Sequence, residues 1–449
     1  MNCAMLEFGQ DRTRSGQASN LDRAHYYQRS FQRQKLRGIS IHLSRLSLTG
    51  FRNHTNTDLE LRPGLTLFQG NNGEGKSNLL EAAYMLAIAK SSRASNDREL
   101  VNWSLAESGG HMQVLGVGRD GDTTIQAQID VDVTAAAASA SAGFRKGLRV
   151  NGIKRSATDF VGSLNVVFFE ADDLEIIHGS PGRRRRYLDI LIAQSDPAYL
   201  KSLQRYGQVV SQRNQLLRRI REGVAGDKEL TFWDERLAYE GSRVTDSRRR
   251  AVDGLNEHAV PAHADLSDGG RLQLEYRPRI TASPGTRSEE SPDVGSMNSE
   301  TIEQEIAKAL PAVRRREVAQ GATVVGPHRD DLMIYLNDTL AGQFASRGQS
   351  RTIALSLKLA EAIFVTRSTG RTPVLALDDV LSELDPARRA RGRTVRPDDR
   401  GAGRAVALCR GLGAVPARSE RDPRGGCAGP RLCRRHRWRG AGPGGGGAG

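Results

Sequence analysis

The sequence predicts an α/β protein, a mixed sheet carrying helices, with a helical arm inserted into it. Three observations carry that expectation. The run Gly70-Asn71-Asn72-Gly73-Glu74-Gly75-Lys76-Ser77 lies between an apolar strand and a helix. Far downstream, the apolar run Val374-Leu375-Ala376-Leu377 ends in Asp378-Asp379. Between them Leu200, Leu203, Tyr206, Val210, Leu217 and Ile220 recur at helical spacing, with charge filling the remaining face.

Taken in order, the ordered chain is expected to begin near Ile41. Leu43, Leu46 and Leu48 followed by Gly50, then residues 58–70 with Pro63-Gly64 as the turn, read as strands joined by a hairpin. Residues 76–90 read as a helix with an apolar stripe of Leu79, Leu80, Ala83, Leu86 and Ala87. Short strands are expected between 110 and 170. There Ile125, Ala127, Ile129, Val131 and Val133 alternate, Asn151-Gly152 marks a tight turn, and residues 164–169 read as a buried strand. Residues 197–260 suffice for a helical hairpin and are too short for a rod-like coiled coil. Residues 281–300, rich in Ser, Pro and Gly, read as a polar linker. A helix around 301–318 leads back to strand-like residues 323–325 and 331–337.

Composition bounds the function. Of 449 residues, 38% are hydrophobic, and no apolar run approaches the ~18 residues of a membrane span. The first 30 residues lack an apolar segment, so no secretory signal is expected. Four cysteines do not make a disulfide framework. The default is a soluble cytoplasmic protein without a membrane partner. The net charge of +14 invites a nucleic-acid reading, but it is unevenly spread. Residues 1–39 hold seven basic and three acidic residues, residues 391–449 fourteen Arg and four acids, and residues 40–390 hold 45 of each. Bulk charge therefore says little about the partner.

The expected organisation is an N-terminal extension at 1–39 (disordered or non-native), the first part of the head at 40–195, the arm and linker at 196–300, and the second part of the head at 301–390. Residues 391–449, with 15 Gly and Cys409, Cys427 and Cys433, read as a disordered Arg/Gly-rich tail or as a change of reading frame near 390. The second reading is preferred, because residues 391–406 offer no convincing strand.

The glycine run fits the phosphate-loop pattern. Its glycines let the backbone wrap a phosphate chain, Lys76 reaches the β- and γ-phosphates, Ser77 ligates Mg²⁺, and the following helix aims its positive end at the anion. The strand ending in acids supplies the partner element: Asp378 for the metal and Asp379 to polarise the attacking water. A third element, Ser346-Arg347-Gly348-Gln349, opens a helix and can bind an anion or act as an ordinary N-cap. The run Arg183–Arg186 can touch DNA phosphates or the nucleotide site, or form a solvated helix start. His328, Arg329 and Asp330 can support the nucleotide pocket; one lone His does not make a metal site.

The order of these elements is that of ATPases of the ABC/SMC class, so the predicted fold is a P-loop ABC-type ATPase head with the arm inserted. In detail the chain resembles the RecF family of DNA-repair proteins. The resemblance rests on residues 43–54, 70–84, 168–189, 324–332, 346–362 and 375–385, and above all on Gly179-Ser180-Pro181 with its arginine run and on Gly326-Pro327-His328-Arg329-Asp330-Asp331. It implies that Gly70–Ser77 hold ATP in cis while Ser346, Gly348 and Gln349 meet the γ-phosphate from a second subunit. It places Lys76, Asp378 and Asp379 in catalysis, Ser77 and Asp378 on Mg²⁺, and Asp385 in a loop that communicates across the homodimer. It further implies slow, DNA-stimulated ATP hydrolysis and recognition of gapped single- and double-stranded DNA junctions. RecO and RecR are the implied partners in loading recombinase. A non-hydrolysing DNA-binding module is the alternative, since Asp379 replaces the commoner Glu. A transporter subunit is opposed by the 302 positions between Lys76 and Asp378 and by the absence of Leu-Ser-Gly-Gly-Gln.

Overall fold

The computed structural model describes residues 39–64, 66–68, 72–133, 144–267, 269–281, 297–378 and 405–408. Strands β1 (Ile39–Ser40), β2 (His42–Phe51), β3 (His54–Glu60) and β4 (Thr66–Phe68) precede helix α1 (Lys76–Ile88). Strands β5 (Gly110–Asp120), β6 (Thr123–Val133), β7 (Phe144–Val150), β8 (Ile153–Lys154) and β9 (Val166–Phe169) follow. Next come helices α2 (Pro181–Ala193), α3 (Pro197–Arg221) and α4 (Leu230–Leu266), strand β10 (Leu272–Arg277) and helix α5 (Ser299–Gln320). The last elements are β11 (Asp331–Leu336), β12 (Thr339–Leu340), α6 (Arg347–Thr369), β13 (Arg371–Thr372), β14 (Val374–Asp378) and β15 (Ala405–Leu408).

Two sheets enclose α1. One is antiparallel, in the order β3-β2-β5-β6-β7-β8; the other is parallel, in the order β4-β15-β14-β9. The alternation at 125–133 does its expected work, with Ala127, Ile129, Val131 and Val133 buried on β6. Helix α1 is buried continuously from Leu79 to Ile88. The expected stripe was too narrow, because a helix covered by a sheet on each side must be apolar all round. Gly116 on β5 permits the close approach: a Cβ there would lie 2.3 Å from Leu86 Cδ1.

Two expectations about strands are corrected. The turn at Pro63-Gly64 does not join a hairpin; β3 pairs with β2, and β4 leaves for the parallel sheet. The actual hairpin is β2–β3, turned at Arg52 with φ 53°. The segment after 390 does supply a strand, because β15 lies between β4 and β14. A four-residue strand inside a parallel sheet is a short apolar run with no alternation to read, here Ala-Val-Ala-Leu between arginine- and glycine-rich residues. Residues 1–38, and the tail apart from 405–408, lie outside the described residues.

The arm is the expected helical hairpin, α3 and α4, and α4 packs along α5 and α6. The buried seam of α3 is Tyr199, Ser202, Tyr206, Val209, Arg213 and Leu216, so the expected Leu200, Leu203 and Val210 flank it. Arg213 is fully buried in that seam, 2.6 Å from Glu317 on α5 and 2.8 Å from Asp234 on α4. Arg213 thereby links α3 to both α4 and α5.

Candidate functional site

The glycine loop opens directly into α1. Gly70 and Asn71 lie outside the described residues; Asn72 and Glu74 are in place, Gly73 has φ 83° and Gly75, the N-cap, φ 91°. Gly75 is obligatory twice over. Its φ is left-handed, and a Cβ would meet Asn53 Oδ1 and His54 Nε2, each at 2.6 Å. Those two residues buttress the loop: Asn53 Nδ2 donates to Gly73 O at 3.3 Å and His54 Nε2 to Gly75 O at 3.1 Å. Burial lowers the His54 pKa, so the ring is neutral and its Nδ1 accepts from Thr57 Oγ1 at 3.0 Å. Behind the turn, Arg52 pairs at 2.8 Å with Glu81, which is fully buried on α1.

Lys76 and Ser77 begin α1, and the second predicted element arrives beside them. Ser77 Oγ donates to Asp378 Oδ1 at 3.1 Å across 301 residues of sequence. The other Asp378 oxygen takes Arg93 Nη2 at 2.7 Å, and Arg93 Nε reaches Glu170 Oε2 at 3.4 Å. Glu170 follows β9, where burial and then the nearby Asp173 push its pKa up to about 7. A hydroxyl and a carboxylate converging at a helix N-terminus are hard oxygen donors suited to Mg²⁺. Asp379 and Asp385 lie outside the described residues.

Ser346, Gly348 and Gln349 stand at the start of α6, with Ser346 and Gln349 exposed. Gln349 N donates to Ser346 Oγ at 3.3 Å, and Ser346 N donates to Gln349 Oε1 at 2.8 Å. This is a capping box, so the N-cap reading holds for the single chain. The next residue, Ser350, is buried, and its Oγ lies 2.9 Å from His178 Nε2.

The arginine run is structural in the main. Arg184 clamps Asp331 at 2.6 and 2.8 Å, Arg185 donates to Asp330 O at 2.6 Å, and Arg186 to Ser91 O at 3.2 Å; Arg183 is exposed. His328 and Asp330 likewise belong to the arm's root rather than to the loop at 72–77. Asp330 is fully buried, accepts from Arg279 N at 2.7 Å and from the Tyr276 hydroxyl, and lies 3.5 Å from Arg248 on α4. His328 sits between the Tyr206 hydroxyl at 2.6 Å and Thr323 O at 2.9 Å, and burial lowers its pKa to about 4.

That shift carries a pH prediction. An unfolded His binds its proton near pH 6.5 and the folded one only near 4, so between those values the unfolded state holds more protons and His328 costs stability as pH falls. The stability difference between the unaltered chain and His328→Gln should therefore shrink by about 2 kcal/mol from pH 7 to 5. Urea unfolding at both pH values measures it, and an unchanged difference would mean that the ring is not held neutral.

With this geometry in place, the relatives can be read. The chain matches the RecF/RecN/SMC N terminal domain over residues 42–395. The DNA replication and repair protein RecF of Chloroflexus aurantiacus is 39% identical over 360 residues, covering 78% of this chain and 89% of that protein. Its counterpart in Herpetosiphon aurantiacus is 40% identical over 358 residues, covering 78% and 88%. The chain belongs to the RecF family. Two solved RecF structures of the RecFOR pathway, described as recombination mediator proteins, share its fold. The ATPrS complex has a TM-score of 0.71 at 29% identity, covering 84% of this chain and 95% of that one. The ATP complex has a TM-score of 0.70 at 30% identity, covering 84% and 94%.

Within this RecF-family head, reasoning from the sequence missed Arg93, Glu170 and the Arg52-Asn53-His54 buttress. A polar cluster directly after a strand, Arg52-Asn53-His54, was the visible signal for the last of these. Nothing in spacing ties it to Gly75, however. Glu170 is brought beside Asp378 by the parallel pairing of β9 with β14, and Arg93 bridges the two.

Proposed function

We propose that this chain is an ATP-dependent DNA-binding protein of recombinational repair and replication that hydrolyses ATP slowly. The observation that carries this reading is the 3.1 Å contact between Ser77 and Asp378 at the mouth of the glycine loop. Loop 70–77 cradles the phosphates of ATP with backbone N–H groups, Lys76 meets the β- and γ-phosphates, and Ser77 and Asp378 hold Mg²⁺. Mg²⁺ at those oxygens neutralises phosphate charge. Arg93 and Glu170 set the charge around Asp378, and Asp379 orients the attacking water.

Ser346, Gly348 and Gln349 are exposed or half-buried at the N-terminus of α6, which suits an anion brought by a second copy. ATP then closes a homodimer on DNA, at gaps and single/double-strand junctions, and hydrolysis releases it. The RecFOR pathway named for the two solved relatives supports RecO and RecR as partners in loading recombinase.

The test is ATP turnover with and without gapped DNA, with Lys76→Ala as control. Turnover above the Lys76→Ala background, raised by DNA, supports the reading. Identical rates for both proteins reduce it to a DNA-binding module without turnover.

A further inference from the structure

The arm carries a concentration of arginine that the fold does not use. The end of α5, the loop after it and the residues following β10 enclose a cavity of about 190 Å³. Arg279, Arg316 and Arg329 line it together with Thr281, Gln320 and three valines, and no Asp or Glu is among the described lining residues. All three arginines are exposed. Arg329 donates at 3.2 Å to Thr323 O, a carbonyl that already accepts from His328. The nearest acid on α5, Glu317, is buried and held by Arg213.

Two more arginines join from another element. Arg218 Cγ and Arg221 Nη1, at the end of α3, lie 2.7 and 3.2 Å from where a Cβ on Gly321 would stand. Gly321 adjoins Gln320, so the five arginines form one surface drawn from three parts of the chain. Arginines that serve the fold are matched to carboxylates: Arg184 to Asp331, Arg213 to Glu317 and Arg248 to Asp189. These five are not so matched among the described residues.

Guanidinium groups without carboxylates, gathered around a concave polar site, suit phosphate, which they can bind bidentately. Among the described residues no aromatic side chain lines the cavity to stack an unpaired base. We infer that this face of the arm is a DNA contact that grips the backbone of the duplex, with Arg279, Arg316 and Arg329 around one phosphate and Arg218 and Arg221 on its neighbours. The inference rests on the DNA-binding reading above and gives that binding a sequence-independent anchor on the arm.

Anisotropy of a fluorescein-labelled duplex across a salt series tests it. Each phosphate contact adds about 0.9 to the slope of log affinity against log salt. Arg279→Gln/Arg316→Gln, which takes two of the three guanidinium groups from one phosphate, should therefore lower that slope by about 1 and weaken binding at least about tenfold at 0.1 M salt. Binding of a labelled ATP analogue should stay unchanged. If analogue binding falls as well, Arg218→Gln/Arg221→Gln, on a different helix, decides by the same slope criterion. Equal slopes in the unaltered chain and the variants overturn the arm contact alone. Failure of the unaltered chain to bind duplex or gapped DNA overturns the DNA reading and this contact with it.

Discussion

Asp378→Asn lowers ATP turnover at least about 100-fold while leaving the fold and nucleotide binding in place. The amide keeps the shape of the carboxylate, and its oxygen can still accept from Ser77 or from Arg93, which now hold the two Asp378 oxygens at 3.1 and 2.7 Å. What is lost is one negative charge at the point where β14 meets the N-terminus of α1. On the proposed reading that charge would hold the cation which offsets the phosphates, so its loss falls on turnover. The glycine loop keeps its own buttress from Asn53 and His54, which does not involve Asp378. Turnover and equilibrium binding of a labelled ATP analogue, measured on the same preparation, separate the two effects. Equal loss of binding and turnover would mean that Asp378 shapes the loop itself.

Arg248→Ala destabilises the folded chain by about 3–5 kcal/mol. Arg248 lies on α4 with 2% of its surface exposed, and it donates to Asp189 at 2.7 and 2.9 Å and to Pro327 O at 2.7 Å. Its partners come from α2, the arm and the loop before β11, so one side chain ties the arm to the head. Truncation leaves Asp330 buried beside Tyr276 with its charge uncompensated. Burial already raises the Asp330 pKa, and Arg248 is the largest influence lowering it. The variant should therefore bind a proton at Asp330 on folding and recover part of its stability as pH falls. Urea unfolding across pH measures both effects. A loss below about 1 kcal/mol would show that water reaches the cluster and solvates it.

The chemistry was legible wherever it is local in sequence. Gly73, Gly75, Lys76 and Ser77 sit in eight consecutive residues, and the capping box of Ser346 and Gln349 in four, so residue type and spacing suffice. The parallel strand β14 was legible because it is a continuous apolar run ending in acids. What escaped was whatever depends on pairing between distant segments. Arg93 reaches Asp378 across 285 residues, and Arg248 reaches Asp330 across 82. The arginine run at 183–186 illustrates the reverse error. Four successive charges look like a surface, yet Arg184 and Arg185 face the acidic run at 330–331 and are used in packing. Strand β15 escaped because a parallel strand of four consecutive apolar residues leaves no periodic mark.

The central claim is that nucleotide held by loop 70–77 governs the hold on DNA. Its most direct measurement is the affinity for gapped duplex DNA with and without ATP and Mg²⁺, for the unaltered chain and for Lys76→Ala. The account predicts that ATP tightens binding by the unaltered chain at least about tenfold, a coupling of about 1.4 kcal/mol, and leaves Lys76→Ala unchanged. The same affinity with and without ATP in the unaltered chain would contradict it.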